Sequence, residues 1–124
     1  MKRVAWTSLM LAIAVATAAP TRAADNSDAA HNLASRLGSA VEKCWIKSND
    51  VAFADYIYSP EPNATNGPRI LLVPRKNPAA APALAIEINP AGEHVSVYGQ
   101  LATSPQAGRI GTDLRRWIAG ETAC

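Results

Sequence analysis

The sequence predicts a small α+β domain in two layers, with both helices on one face of a four-stranded antiparallel sheet. An apolar stripe with helical spacing comes first in the chain. Several short apolar or alternating runs follow it, and a second amphipathic stripe comes last. A helix and a sheet that are each apolar on one face bury those faces best against each other. The two cysteines, Cys44 and Cys124, fall near the ends of the two predicted helices.

The N-terminus has the pattern of an export signal. Two basic residues precede an uncharged apolar run over 4–19, which is shorter than the roughly 20 residues of a membrane span. Small residues favour cleavage after Ala23; cleavage after Ala18 and an uncleaved anchor are the alternatives. We therefore expect residues 1–23 to be a signal peptide and residues 24–124 to form one periplasmic or secreted domain, without stable membrane insertion.

The charge balance gives no indication of a polyanionic partner. The chain has 12 Lys and Arg against 10 Asp and Glu, but three of the basic residues and none of the acids lie in residues 1–23. The remaining domain is nearly neutral, so we expect no nucleic-acid partner. No Gly-rich phosphate loop is present, and we expect no cofactor.

The cysteines favour a structural bridge. Two cysteines in an exported chain are typical of one disulfide, and closing a loop of about 80 residues adds roughly 4 kcal/mol on the chain-entropy model. Two free thiols, with Cys44 as a reactive one, are the alternative. Cys44 lies on the apolar stripe, which favours the disulfide.

The first helix is predicted from Ser27 or Asp28, which can cap its first turn, through Trp45. Gly38 is a weak point in the middle, and residues 48–50 end the helix. We expect Trp45 to pack in the core.

Four runs predict the strands, the last two of them in a hairpin. Residues 51–59 are rich in aromatic and β-branched residues, and we expect Tyr56 and Tyr58 to face the core. A Pro-rich loop over 60–68 precedes an apolar run over 69–75, which is predicted to be central. Two alternating runs around a turn at 89–92 predict a hairpin with one buried and one wet face.

The last helix is predicted to begin at Ser104 and Pro105, an N-cap followed by proline. Trp117 lies on its apolar face, and we expect Gly111 to let the helix approach the sheet closely. Asp113 is three or four residues from two arginines, and we expect these ion pairs to be exposed.

Two sets of residues are candidates for a binding surface. One is the polar side of the last strand, with an ordinary wet outer face as the alternative. The other brackets the central strand as a small basic rim for an acidic partner, with a solvated strand end as the alternative. The sets are His94, Ser96, Tyr98 and Gln100, and Arg69, Arg75 and Lys76. A polar face or an unpaired edge strand is a usual site of strand addition.

No catalytic or metal site is predicted. His31 and His94 have no Cys, His, Asp or Glu at a metal-ligand spacing, and both are expected to face solvent. No local signature joins Ser, His and Asp into a triad.

Residues 37–45, which end in Cys-Trp, resemble the helix that opens the C-terminal domain of the cell-envelope protein TolA. Residues 84–93 are similar to the strand and turn of TolA and TonB C-terminal domains, and the helix through Trp117 is placed like their last helix. The chain also resembles small exported proteins of alphaproteobacteria. It departs from TolA and TonB in having a cleavable-looking signal and no long periplasmic spacer.

The resemblance implies a non-enzymatic periplasmic adaptor that binds an envelope protein through a sheet edge. A secreted inhibitor of a hydrolase such as lysozyme is the alternative. A small hydrolase using His94 is less favoured, because it would need an acid or a nucleophile within hydrogen-bond reach of that residue in the folded protein.

Overall fold

The computed structural model describes residues 13–18 and 22–124, with the backbone alone for residues 22–26. Residues 13–18 have no regular secondary structure and are exposed. The predicted signal peptide falls largely outside the described residues and stays a prediction. Among the described residues, no helix is long and apolar enough to span a bilayer.

The structure confirms the predicted α+β fold with a four-stranded antiparallel sheet between two helices in the chain. Helix α1 (Arg22–Val41) continues as a π-helical turn (Glu42–Ile46), and helix α2 (Ala107–Ile118) ends the fold. The strands pair in sequence order, so β2 and β3 are central. Their bounds are β1 Tyr56–Glu61, β2 Arg69–Pro74, β3 Leu84–Ile88 and β4 Val95–Tyr98.

One core joins both helices to the inner face of the sheet. Trp45 is fully buried and stacks on Phe53 with ring centroids 4.8 Å apart, and the Trp117 ring is tilted against Trp45 with centroids 5.2 Å apart. Leu72 and Ile86 of the central strands close the core from the sheet side. The π-helical turn places Trp45 in this cluster.

Helix α1 differs from its prediction at two points. It begins at Arg22, five residues before the predicted cap at Ser27, because no proline or glycine interrupts this alanine-rich stretch. Gly38 is buried rather than a mere weak point: a Cβ there would overlap the Tyr58 hydroxyl. The missing side chain leaves room for the Tyr58 hydroxyl against α1.

The first predicted strand is wrong over its first half. Residues Val51–Phe53 form a 3-10 turn, and β1 begins only at Tyr56. Asp50 caps the turn by accepting a hydrogen bond from the Ala52 amide at 3.0 Å, an alternative to strand pairing that short polar side chains favour. Tyr56 and Tyr58 pack against the main core, as predicted.

The outer face of the sheet is not uniformly wet. Leu71, Val73 and Ala85 are buried in a second cluster against Ile57. Conversely, Val97, expected inside, is 37% exposed, because β4 is a short edge strand that the helices cover only in part. The polar outer surface is therefore limited to β4 and to one row of charged residues.

Helix α2 corrects two further expectations. A Cβ at Gly111 would meet only the side chain of Arg115, so this glycine does not bring the helix to the sheet. Asp113 is buried, with 8% of its surface exposed, and accepts a hydrogen bond from the Trp45 indole N–H at 2.9 Å. Its contacts with Arg109 and Arg116 are therefore partly buried rather than exposed pairs.

The predicted disulfide is confirmed. Cys44 and Cys124 are bonded with a Cα–Cα distance of 5.2 Å, so neither is a free thiol. The Ala123 carbonyl accepts hydrogen bonds from the Trp117 indole at 3.1 Å and from the Arg116 guanidinium at 3.0 Å. These contacts hold the last residues against the end of α2.

Candidate functional site

Most of the predicted polar row lies on the outer side of β4. His94, Ser96 and Tyr98 are exposed, and Ser96 and Tyr98 belong to the strand itself. Gln100 does not continue the row, because Gly99 has a positive φ of 111° and the chain leaves the strand there. Gln100 begins a 3-10 turn instead.

Tyr98 joins a charged row that crosses the outer face. Glu61, Arg69, Glu87 and Ser96 are consecutive neighbours across the four strands. Arg69 donates through Nε to Glu61 at 2.9 Å, and its Nη1 lies 3.5 Å from Glu87. The Tyr98 hydroxyl donates to Glu87 at 2.6 Å. The row carries two carboxylates and one guanidinium, so it is acidic by one charge.

These contacts raise the pKa of two side chains. The hydrogen bond to Glu87, together with partial burial, raises the pKa of Tyr98 above its ordinary value. The hydrogen bonds to Glu61 and Tyr98 raise the pKa of Arg69. Both groups therefore keep their protons through the physiological range.

The predicted basic rim does not form one patch. Arg69 begins β2, whereas Arg75 and Lys76 follow its end, so the strand separates them. Arg75 and Lys76 line a shallow cavity of about 290 Å³ with Asp55 and Gln100 at the opposite end of the sheet. The structure thus groups Arg69 with Tyr98, and the other two with Gln100.

The two edges of the sheet differ, and the β4 edge is open. The Asn89 backbone N–H donates to the His94 carbonyl at 3.0 Å, which makes these two residues a hydrogen-bonded pair of the ladder. Such pairs alternate along an antiparallel ladder, so Ser96 and Tyr98 bond to β3 while Val95 and Val97 direct their backbone groups outward. Within residues 27–124, no side chain hydrogen-bonds these outward groups.

The β1 edge is partly blocked, at Tyr56 and at Pro60. The Arg75 backbone N–H donates to the Asp55 carbonyl at 2.8 Å. By the same alternation, Tyr56, Tyr58 and Pro60 direct their backbone groups away from β2. Arg75 Nη2 donates to the Tyr56 carbonyl at 3.3 Å, and Pro60 has no N–H to offer. Proline and charged side chains are common devices for protecting an edge strand.

His31 is exposed, as expected, but both ring nitrogens are engaged. Nδ1 lies 2.8 Å from the Ser27 carbonyl and Nε2 lies 3.1 Å from the Pro62 carbonyl. The ring links α1 to the loop after β1, beside a cavity of about 510 Å³. In the described part of the chain, no group of three or more His, Cys, Asp or Glu side chains is placed to hold a metal ion.

Sequence reasoning missed the role of β4 as an open edge and of Asp113 as a buried acceptor. The signal for Asp113 was available, since it lies three residues after Ile110 and four before Trp117, on the apolar stripe. The difference between the two edges was not readable, because it depends on which backbone groups point outward and on where Arg75 reaches.

The comparisons with known proteins found no matching family model, curated protein or solved structure.

Proposed function

We propose that this protein is a non-enzymatic, periplasmic binding domain that takes up an extended segment of an envelope protein along strand β4. The open β4 edge carries the proposal. Val95 and Val97 offer unpaired N–H and C=O groups, while the opposite edge is obstructed by Arg75 at the Tyr56 carbonyl and by the missing N–H of Pro60. Strand addition to an exposed edge uses such groups for affinity and the flanking side chains for specificity.

The side chains beside the edge support this function. Val97 is 37% exposed on the inner side and Tyr98 is 43% exposed on the outer side, so an added strand would cover apolar surface on both faces. An aromatic residue next to unpaired backbone groups is a favourable contact for a partner, because it buries a large area at a small entropic cost.

The periplasmic location rests on the predicted export signal and on the disulfide. Disulfides persist in oxidising compartments such as the bacterial periplasm. The resemblance to TolA and TonB C-terminal domains, which bind envelope partners through sheet edges, supports the same assignment.

The experiment is capture of envelope proteins by the purified, tagged protein and by three variants. Val97→Pro removes an outward N–H and keeps the N–H groups that bond to β3, and Val97→Lys places a charge on the edge. Val51→Lys makes the same replacement at a residue that is 89% exposed but lies away from the sheet. Thermal unfolding of each variant checks that the fold persists.

The proposal expects a captured protein that is lost with both Val97 variants and retained with Val51→Lys. A photo-cross-linker at Ser96 should join that same protein. Capture that is unchanged by Val97→Pro and Val97→Lys would rule out strand addition at β4.

A further inference from the structure

We infer that the segment added to β4 alternates apolar and basic side chains, with its basic residues beside the first half of the strand; the inference rests on the function proposed above. The pattern follows from the two faces that the edge presents. Directly paired residues of neighbouring strands point to the same face, so each face of β4 specifies every second residue of the partner.

The inner face calls for apolar side chains. Val95 packs against the main core, and Val97 lies beside it with part of its surface exposed. Partner side chains paired with these two residues would extend the core layer past the edge of the sheet. A charged side chain there would lose water without gaining a partner.

The outer face calls for basic side chains. Ser96 is small and exposed, and its neighbour across the ladder is Glu87. A partner residue paired with Ser96 would stand two strand spacings, about 10 Å, from Glu87, a gap that the side chains of Lys or Arg and Glu span together. Exposed Glu93 lies in the turn just before β4 and adds a second negative charge.

The other basic residues of the region do not cancel this field. Arg69 lies one strand further from the edge than Glu87, holds the Glu61 carboxylate through Nε and Nη2, and reaches Glu87 only through Nη1 at 3.5 Å. One guanidinium against these two carboxylates leaves a net negative charge. Lys76 lies at the opposite end of the sheet, in the cavity that it shares with Gln100. The start of β4 is therefore acidic, which places the partner's basic residues there.

A second copy of this chain fits the edge less well. Strand β4 has four residues, and a stable dimer commonly buries 1,200 Å² or about that much in total, more than pairing of two such strands supplies. The edge of a second copy would also bring its own Glu87 and Glu93 towards the same acidic surface.

The test measures binding of two soluble capped peptides, one alternating Val with Lys and one alternating Val with Glu, to the full protein. We expect the Val–Lys peptide to bind about tenfold more tightly, since one or two partly exposed ion pairs contribute on that scale. The preference should shrink at about 1 M salt, where the Debye length is about 3 Å.

Two matched variants locate the charge. Glu87→Gln should reduce the preference for the Val–Lys peptide, whereas Glu121→Gln, in the exposed tail after α2, should leave it unchanged. Both variants change the net charge equally, so a general charge effect would reduce the preference in both.

Each result decides the inference. Equal binding of the two peptides, abolished by Val97→Pro, would overturn the basic pattern while leaving strand addition in place. Binding of neither peptide, or binding that ignores Val97→Pro, would overturn strand addition as well. Sedimentation that shows a dimer dissociated by Val97→Lys would assign the edge to a second copy and overturn the inference.

Discussion

At the scale of single residues, Asp113 is the charged group on which the core depends. It is buried between Arg109 and Arg116 and satisfies the indole N–H of fully buried Trp45. A buried polar group left without its partner costs more than an ordinary hydrogen bond contributes. Asp113 thus fixes the orientation of the ring around which both helices pack.

We predict that Asp113→Ala lowers the free energy of unfolding by about 2–4 kcal/mol, because it leaves the buried Trp45 N–H without an acceptor and removes one of the partners of Arg109 and of Arg116. Asp113→Asn should cost less, since its amide oxygen can still accept from the indole. Urea unfolding followed by tryptophan fluorescence measures both. A loss below about 0.5 kcal/mol for the alanine variant would contradict the assigned role.

Asp50 links stability to pH. The pKa of Asp50 is held below its ordinary value chiefly by the hydrogen bond from Arg109, and also by the one from the Ala52 amide. Because the pKa is lower in the folded protein, the stabilisation is complete above the unfolded value of about 3.9 and is lost as pH falls through the folded value.

We predict that Asp50→Asn is less stable than the parent protein at pH 7 by up to about 1 kcal/mol, the usual range for a lost ion pair, since its amide oxygen can still cap the turn. The difference should close as the pH is lowered below the folded pKa of Asp50. Urea midpoints across the acid range measure it, with Glu93→Gln in an exposed turn as the control. A difference that is constant with pH would contradict the coupling.

At the scale of elements, the contact of the Tyr58 side chain of β1 with helix α1 depends on Gly38. Helix propensity alone predicts that Gly38→Ala stabilises a helix by about 1 kcal/mol. The Tyr58 hydroxyl occupies the position of the added methyl group, however, and Tyr58 is held in a packed core. Crowding in a packed site outweighs the propensity gain.

We predict that Gly38→Ala destabilises the protein by about 1–3 kcal/mol, the range for overpacked sites. Adding Tyr58→Phe removes the obstructing oxygen and should recover most of the loss, so the two changes should be strongly non-additive. Thermal unfolding of the single and double variants measures this. A Gly38→Ala variant more stable than the parent would show that the contact does not constrain the helix.

The element order was predictable because it depends on hydrophobic periodicity. The apolar stripes of α1 and α2 and the alternation of β3 are readable without tertiary information. The failures have local causes. Asp50 caps a turn where aromatic content indicated a strand, and Gly99 ends β4 before Gln100. In both places a local turn replaces strand pairing, through a side-chain cap at Asp50 and a positive φ at Gly99.

The candidate site was predictable only in part. Ser96 and Tyr98 were placed on one exposed face from their alternation, and the structure adds Arg69 to them through the row across the strands. The separation of Arg69 from Arg75 follows from their positions at opposite ends of β2. Which edge is open depends on which residues of β1 and β4 direct their backbone groups outward and on the contact of Arg75 with the Tyr56 carbonyl. The sequence shows neither.

At the scale of the whole molecule, the disulfide joins the end of the first helix to the last residue, a separation of 80 residues that encloses the whole sheet. We predict that Cys124→Ser lowers the free energy of unfolding by about 3–4 kcal/mol, because the unfolded chain regains the entropy of an open loop. Denaturant unfolding under non-reducing conditions measures the loss.

The control for that variant is Glu121→Gln, which touches the same tail through its exposed contact with Arg116. We expect it to change stability by less than about 0.5 kcal/mol. A Cys124→Ser protein as stable as this control would show that the tail contacts, rather than the covalent bond, hold the two ends together.

The whole fold presents one protected and one open edge, and amide hydrogen exchange tests that distinction most directly. On addition of the Val–Lys peptide, the amides of Val95 and Val97 should exchange more slowly, while those of Tyr56 and Tyr58 on the opposite edge keep their rates. Unchanged exchange at Val95 and Val97 under saturating peptide, or protection that appears at Tyr56 and Tyr58 instead, would contradict binding at β4.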